Sequence, residues 1–458
     1  MKCLQCFVTV MLMLGSGIAA AESVGPAARG ELPAHPLTLQ QAIDLAIQRN
    51  PDMHVAQARI ETARARMQEV QAAFFPHLQA GLGYTASNDP SRAFGMIVAQ
   101  RRFDFSMDIN EPGYIKDFRP EIGASWSLFR GGQDYFTRQA AKLGLDAQKA
   151  RKNAVHGTLR AAVSSAFYAL LEAPQQIEVA RRTLTAIGRE LEHVRSRREQ
   201  GMALKSDVLS LEVRLNQAEA AEIRARNAEE AARTALRALL AAPADSSLKA
   251  NPTDVAEPPA APGKFSDWLD QARRHRPELQ AAEKNVAAKE KALLAARGAR
   301  LPRVDAFAVY GQNSKKPHFS TDKDNVTVGV RAEIDLFSGG AITARIEQAQ
   351  RQLEEARALN QKIHLQVERE VKQAWLTLRE ALAQLNVARA EVAAGEEALR
   401  LVREQYRGGT ATVTRYLNAE TDAASAQLHL ISARFNTLTA QAEMQRATGM
   451  GIAQEPSS

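Results

Sequence analysis

Apolar residues along this chain follow two different periods. Over long stretches they recur at three- and four-residue spacing. Val367, Val371, Ala374, Leu378, Ala381, Leu385, Ala388, Val392, Leu399, Val402 and Tyr406 form heptads, with Gly395 at one expected position. Leu417, Leu428, Ile431, Phe435 and Leu438 continue the pattern, and an earlier pair of stretches carries Ile177, Ala180, Leu184, Ile187, Leu191 and Val194, then Val208, Leu211, Leu215 and Ala218. Such spacing predicts helices that pair along their length as coiled coils. Short breaks at Gln200-Gly201-Met202 and Gly408-Gly409-Thr410 predict tight hairpin tips, where glycine ends one helix and Ser206 or Thr412 starts the next. A run from Gln133 to Gln200 would be about 100 Å long at 1.5 Å per residue, with Pro174 expected to kink or locally break it.

Elsewhere the period is two. Leu78, Ala80, Leu82 and Tyr84 alternate with Gln79, Gly81, Gly83 and Thr85, and Ile122, Ala124, Trp126 and Leu128 alternate with Glu121, Gly123, Ser125 and Ser127. Val304, Ala306, Ala308 and Tyr310 form a weaker third case; Val326, Val328, Val330, Ala332, Ile334 and Leu336 form a clean fourth. Strands of about ten residues, apolar on one side, suit a transmembrane β-barrel. Trp126, Leu128, Val328, Val330 and Ile334 are the expected lipid-facing strand residues. Four strands leave two open edges, which a bilayer does not tolerate. Three chains would close a ring of about 12 strands, within the outer-membrane range. The competing reading is a soluble sheet with one wet face.

The pattern is duplicated. Asn50-Pro51, Phe75-Pro76 and Tyr84 recur, at one constant offset, as Arg276-Pro277, Leu301-Pro302 and Tyr310. Leu128-Phe129-Arg130-Gly131-Gly132 recurs as Leu336-Phe337-Ser338-Gly339-Gly340, and Gly201 as Gly409, at a second and shorter offset, so the first copy carries an insertion between Tyr84 and Leu128. The expected organisation is a signal peptide (1–21), a first repeat (22–250; strands 78–88 and 120–130, tip near 201), a Pro-rich linker (251–264), a second repeat (265–448; strands 304–314 and 326–337, tip near 409) and a flexible tail (449–458). The fold class is therefore mainly α with a small membrane β part: duplicated long coiled-coil hairpins, and four strands per chain completing a 12-stranded trimeric β-barrel.

Composition narrows the chemistry. With 45% apolar and 24% charged residues the 458-residue chain is too rich in both for disorder. Its net charge of +7 comes from interleaved charges of both signs, which read as solvated helix faces rather than a nucleic-acid surface. Both cysteines, Cys3 and Cys6, fall in the leader, where Lys2, an apolar core from Phe7 to Leu14 and Ala19-Ala20-Ala21 mark export. A cleaved chain would have no thiolate site, and no catalytic motif such as H-E-x-x-H or G-x-S-x-G is present. No enzyme activity, cofactor or metal is expected. His156 and His364 occupy equivalent positions, where a trimer could gather six histidines, although packed or surface helix histidines are the commoner outcome.

In the order and spacing of the Leu-Phe-Arg-Gly-Gly and Leu-Phe-Ser-Gly-Gly segments, the N-P and R-P helix breaks, the glycine tips and the loop Ala93-Phe94-Gly95 through Arg102-Phe103, the chain resembles the TolC-like outer-membrane efflux family. The resemblance implies a homotrimeric channel-tunnel, its strands in outer-membrane lipid and its helical hairpins forming an α-barrel in the periplasm. Such a channel is a passive exit duct of a tripartite efflux or type I secretion system, working with a periplasmic adaptor (membrane fusion) protein and an inner-membrane pump of RND, ABC or MFS type. It places adaptor contacts at Gly201, Met202, Gly409 and Thr410, and a periplasmic gate at Ser206, Asp207, Tyr406, Arg415 and Asn418. The family's linking arginine falls on Ala411, and its acidic rings fall on Arg415 and Asn418, so a ring of Arg415 side chains would favour anions. The alternative is a soluble periplasmic coiled-coil adaptor or scaffold protein.

Overall fold

The computed structural model describes residues 33, 35–253, 257–259, 261–319 and 322–450; the expected signal peptide and residues 451–458 of the expected tail lie outside them. Thirteen elements follow one another among the described residues: α1 (Leu39–Arg49), α2 (Pro51–Ala72), β1 (His77–Ser87), α3 (Pro90–Ala99), β2 (Ile115–Arg130), α4 (Gln133–Glu199), α5 (Lys205–Leu239), α6 (Phe265–His275), α7 (Pro277–Gly298), β3 (Arg303–Gln312), β4 (Asp324–Glu333), α8 (Ala341–Arg407) and α9 (Val413–Thr448). The duplication is visible in their bounds. α6 and α7 repeat α1 and α2 at the offset that carries Tyr84 onto Tyr310. α8 repeats α4 at the offset that carries Gly201 onto Gly409, with the same 67-residue length.

The chain divides into two compact units. One gathers residues 62–145 and 284–357 around a four-stranded antiparallel sheet of order β1-β2-β3-β4. The cross-strand rows explain the alternation. Leu78, Ala124, Ala308 and Val328 stand side by side on one face, as do Ala80, Ile122, Tyr310 and Val326; Gln79, Gly123, Val309 and Thr327 form a row on the other.

Strand ends differ from the sequence expectation for local reasons. β4 ends at Glu333, short of 337, because Glu333 pairs with Arg303 and the next partner would be Pro302, which has no N–H to give. Ile334 thus lies beyond the strand. β2 starts at Ile115 rather than 120. Apart from an isolated Phe118–Ser314 bridge, residues 115–120 pair with β1 alone, so Pro120 sits where one side of the strand needs no ladder. Leu128 falls at a register shift between Ser127 and Phe129, a β-bulge.

The other unit holds 35–61, 146–283 and 358–450. Its cores are the heptad positions: Val367, Val371, Ala374, Leu378, Ala381, Leu385 and Ala388 are all buried. Gly395 permits a close helix approach, its missing Cβ standing 3.4 Å from the Ala423 Cα. The expected break at Pro174 does not occur, and α4 runs through it. Pro174 itself is exposed, while Phe167, Leu170, Leu171 and Ile177 around it are buried, so packing outweighs the lost backbone bond. The Pro-rich linker is fastened by two indoles, Trp268 donating to Pro262 O at 2.6 Å and Trp375 to Gly263 O at 3.1 Å.

Candidate functional site

Both hairpin tips are built the same way. α4 ends in a Schellman closure: Met202 N–H donates to Arg197 O at 2.8 Å and Gly201 N–H to Arg198 O at 2.9 Å. The second tip repeats the pattern at the equivalent positions, Thr410 N–H donating to Gln405 O at 2.9 Å and Gly409 N–H to Tyr406 O at 3.0 Å. Gly201 and Gly409 both take φ +74, the left-handed region that closure requires. Met202 is exposed, and the Thr410 hydroxyl donates to Gln405 O.

The starts of the return helices differ. Thr412 is an N-cap, accepting from Arg415 N–H at 3.3 Å. Ser206 is not a cap: α5 begins at Lys205, Leu204 occupies the N-cap position, and Ser206 is exposed inside the first turn. Asp207 supplies the missing polar group from within, its carboxylate accepting Leu204 N–H at 3.3 Å.

Above the tips the two hairpins meet over Leu191, Val194, Val208, Leu211, Val413 and Leu417. Tyr406 crosses this seam, donating its hydroxyl to Glu190 Oε1 at 2.6 Å rather than to Asp207, and stacks on Tyr416 with ring centres 5.2 Å apart. Burial, and then the Glu190 carboxylate, push the Tyr406 phenol up from its ordinary value; burial does the same to Tyr416. Within the second hairpin, Arg403 of α8 and Glu420 of α9 pair at 3.2 Å. Arg214 donates to Asn418 Oδ1 at 3.3 Å, and Arg415 is exposed without an ion pair among the described residues. The tip thus carries two guanidinium groups beside Asn418 with no carboxylate bound to either. Glu190 and Arg214 escaped the sequence reading; the available signal was that Glu190 flanks the heptad residue Leu191.

On the sheet, Trp126, Val328 and Val330 share the apolar face and are exposed in the single chain at 45, 72 and 66%, with Ile334 and Leu128 at 50 and 49%. The Trp126 indole donates to Phe74 O at 3.0 Å. The β1–β2 connection, which contains α3, folds onto the opposite, polar face. Gln100 is fully buried and its amide donates to Asp117 Oδ1 at 2.8 Å and Lys116 O at 2.7 Å. Asp117 alternates with the apolar β2 positions and also accepts from Asn313 at 2.6 Å. Arg101, at φ 54, donates to Asp322 O in the β3–β4 connection and to Asp324 O at the start of β4.

The equivalent histidines are not alike. His364 is exposed; His156 is half-buried, its Nδ1 unpartnered, and burial together with Arg160 and Lys152 pulls its pKa down. Among the described residues no cluster of three or more His, Cys, Asp or Glu could hold a metal ion, and no helix is long and apolar enough to cross a membrane.

Residues 42–242 and 268–450 match the family model described as outer membrane efflux protein. The chain is 27% identical over 427 residues to protein CyaE of Bordetella pertussis, and 25% identical over 434 residues to the alkaline protease secretion protein AprF of Pseudomonas aeruginosa; each alignment covers 90% of this chain and 85% of the relative. Among solved structures, the CmeC outer membrane channel of Campylobacter jejuni superposes with a TM-score of 0.77 at 16% identity, over 91% of this chain and 87% of that one.

Proposed function

The chain belongs to the outer membrane efflux protein family, and from that premise we propose that it is the outer-membrane exit duct of a tripartite efflux or type I secretion system. Three copies enclose a passive pore, strands in the outer membrane and helices in the periplasm. An adaptor protein engages the tips at Gly201, Met202, Gly409 and Thr410, and an inner-membrane pump of RND, ABC or MFS type supplies the work. The protein is a conduit and not an enzyme.

One observation supports this reading most: a four-stranded sheet with a continuous apolar face and unpaired β1 and β4 edges. Such a sheet satisfies its edges in lipid only by joining copies of itself. At the periplasmic end, Tyr406–Glu190 holds the two hairpins together, Arg403–Glu420 ties the two arms of the second hairpin, and Asp207 braces the α5 start. Arg415, and Arg214 resting on Asn418, make the mouth cationic, which favours anions. Detergent-extracted outer membranes should give a heat-modifiable trimer band that conducts ions in planar bilayers. Recovery as a water-soluble subunit would favour a periplasmic adaptor or scaffold instead.

A further inference from the structure

The duplication contains a template for the joint between copies. Inside one chain, β2 and β3 pair with Ile122 opposite Tyr310, Gly123 opposite Val309 and Trp126 opposite Ala306, and the ladder then passes a bulge at Leu128. β4 repeats β2 at the offset that carries Leu128 onto Leu336, and β3 repeats β1 at the offset that carries Tyr84 onto Tyr310. The registers obey the same two offsets: His77 opposite Ser125 becomes Arg303 opposite Glu333. The β2–β3 joint, carried by both offsets, lands on β4 and β1, the two edges that have no partner in their own chain.

We infer that β4 of one copy joins β1 of the next antiparallel in one fixed register, with Val330 opposite the next copy's Tyr84 and Arg331 opposite its Gly83. Ala332 then faces Leu82, Glu333 faces Gly81, Ile334 faces Ala80 and Asp335 faces Gln79, with Leu336 as the bulge. This rests on the homotrimer reading and fixes its joint.

Two independent features of the chain agree with it. First, the faces match. Val330, Ala332 and Ile334 meet Tyr84, Leu82 and Ala80, apolar against apolar, while Arg331, Glu333 and Asp335 meet Gly83, Gly81 and Gln79 on the polar side. A slip of one residue would reverse every contact. Second, β2 continues to Arg130 because β3 holds residues 126–130 after β1 has ended at His77. The equivalent stretch of β4 has only the next copy's β1 to hold it. In one chain it leaves the ladder at Glu333, and Leu336 and Phe337 stand 92 and 90% exposed, against 49 and 47% for Leu128 and Phe129. The template stops at the strand end: Ala72 stands where α7 has Gly298, so the tight approach of Gly131 to Gly298 O is not repeated between copies.

Slips of two residues keep the faces and are the real competitors, so the test must separate them. Directly opposite residues hold Cβ atoms about 4.5–5.5 Å apart, and diagonal ones about 7–8 Å; a disulfide needs roughly 3.5–4.5 Å. With Cys3 and Cys6 in the leader, cysteine pairs can be placed without interference. Full-length Val330→Cys/Tyr84→Cys, and as a second variant Arg331→Cys/Gly83→Cys, are oxidised with copper phenanthroline in outer membranes. At least one should give reducible, heat-stable dimers and trimers roughly tenfold more than the shifted pairs Val330→Cys/Leu82→Cys and Val330→Cys/Ala86→Cys. Heat-modifiable trimers in which a shifted pair crosslinks equally or better, or in which no pair crosslinks, overturn the register and leave the trimer standing. A chain that forms no trimer overturns both.

Discussion

The side-chain amide of Asn50 donates to the carbonyl oxygen of Leu239 at 3.0 Å, closing the last turn of α5. Its repeat counterpart Arg276 does the same for α9, donating at 2.8 Å to the oxygen of Ala447, the residue that repeats Leu239. Each precedes the proline that opens α2 or α7, so one residue ends a short helix and caps a long one. Arg276 adds ion pairs with Glu278 and Glu370 while only 3% exposed. Replacing it by Ala should cost about 3–5 kcal/mol, because Glu370 and Ala447 O lose a buried partner. Asn50→Ala, a neutral loss, should cost about 1–3 kcal/mol. Thermal unfolding of the detergent-solubilised protein measures both.

Glu370 gives this cluster a pH signature. Burial pushes its carboxyl up, but hydrogen bonds from Gln366 and Arg276 and the charges of Arg276 and Arg446 outweigh that and hold it below the ordinary glutamate range. A depressed pKa stabilises the fold above the unfolded value of 4.5 and loses that contribution as pH falls through the lowered folded value. Unfolding followed from pH 7 to pH 3 should show an acid loss that Glu370→Gln reduces. An identical profile in that variant would remove Glu370 from the account.

At the tip, Tyr406 and Glu190 form a charge-assisted bond across the hairpin seam, a class contributing about 1.5–3 kcal/mol. If it holds the mouth closed, Tyr406→Phe or Glu190→Gln should raise open-state occupancy about tenfold or more in planar bilayers, and combining them should add little. The raised Tyr406 pKa places the latch's own pH limit on the alkaline side: it is whole below the ordinary value of 10.0 and weakens as pH climbs beyond it. Asp207→Asn, which touches only its own helix start, should open the mouth less. In the same recordings Arg415→Glu should shift reversal potentials towards cation preference; an unchanged potential would place Arg415 off the conduction path.

Val330 and Trp126 lie in one cross-strand row with Ala306, on the apolar face. An arginine at either position should cost up to about 2–4 kcal/mol, the midplane value, falling to about 0–1 towards the interfaces, and reduce the trimer band. Thr327→Arg, on the polar face, should insert normally. Equal yields for all three variants would remove the face assignment.

How much of this the sequence disclosed follows from how local each signal is. Heptads and the glycine tips were legible because Val371 or Gly409 is dictated by helix geometry within a few residues. Alternation located all four strands, yet β4 stops at Glu333 for want of a donor at Pro302, a partner on another strand and far away in sequence. The Tyr406 partner was out of reach for the same reason. Asp207 is near the tip in sequence, but the seam brings Glu190, on another helix, to 2.6 Å. At Pro174 the local rule left a kink or a break open, and α4 is unbroken there because long-range burial of Phe167 and Ile177 keeps the helix continuous.

The β1–β2 connection owes its inward fold to one buried carboxylate. Asp117 accepts from Gln100 and Asn313, and Asn325 in turn donates to Asn313 Oδ1 at 2.8 Å, so the connection and the β3–β4 connection share a single network on the polar face. Arg101 adds two bonds to backbone carbonyls across the same gap. Gln100→Ala leaves the Asp117 carboxylate short of a donor, at a cost of about 1–3 kcal/mol, and should release the segment without unfolding the strands, which keep their ladder. Arg101 and Arg102 then become targets for trypsin added to intact cells: the native chain should resist, Gln100→Ala should be nicked within the connection, and the trimer band should persist. A nicked native chain, or a variant as resistant as the native one, would show that this network does not hold the connection in place.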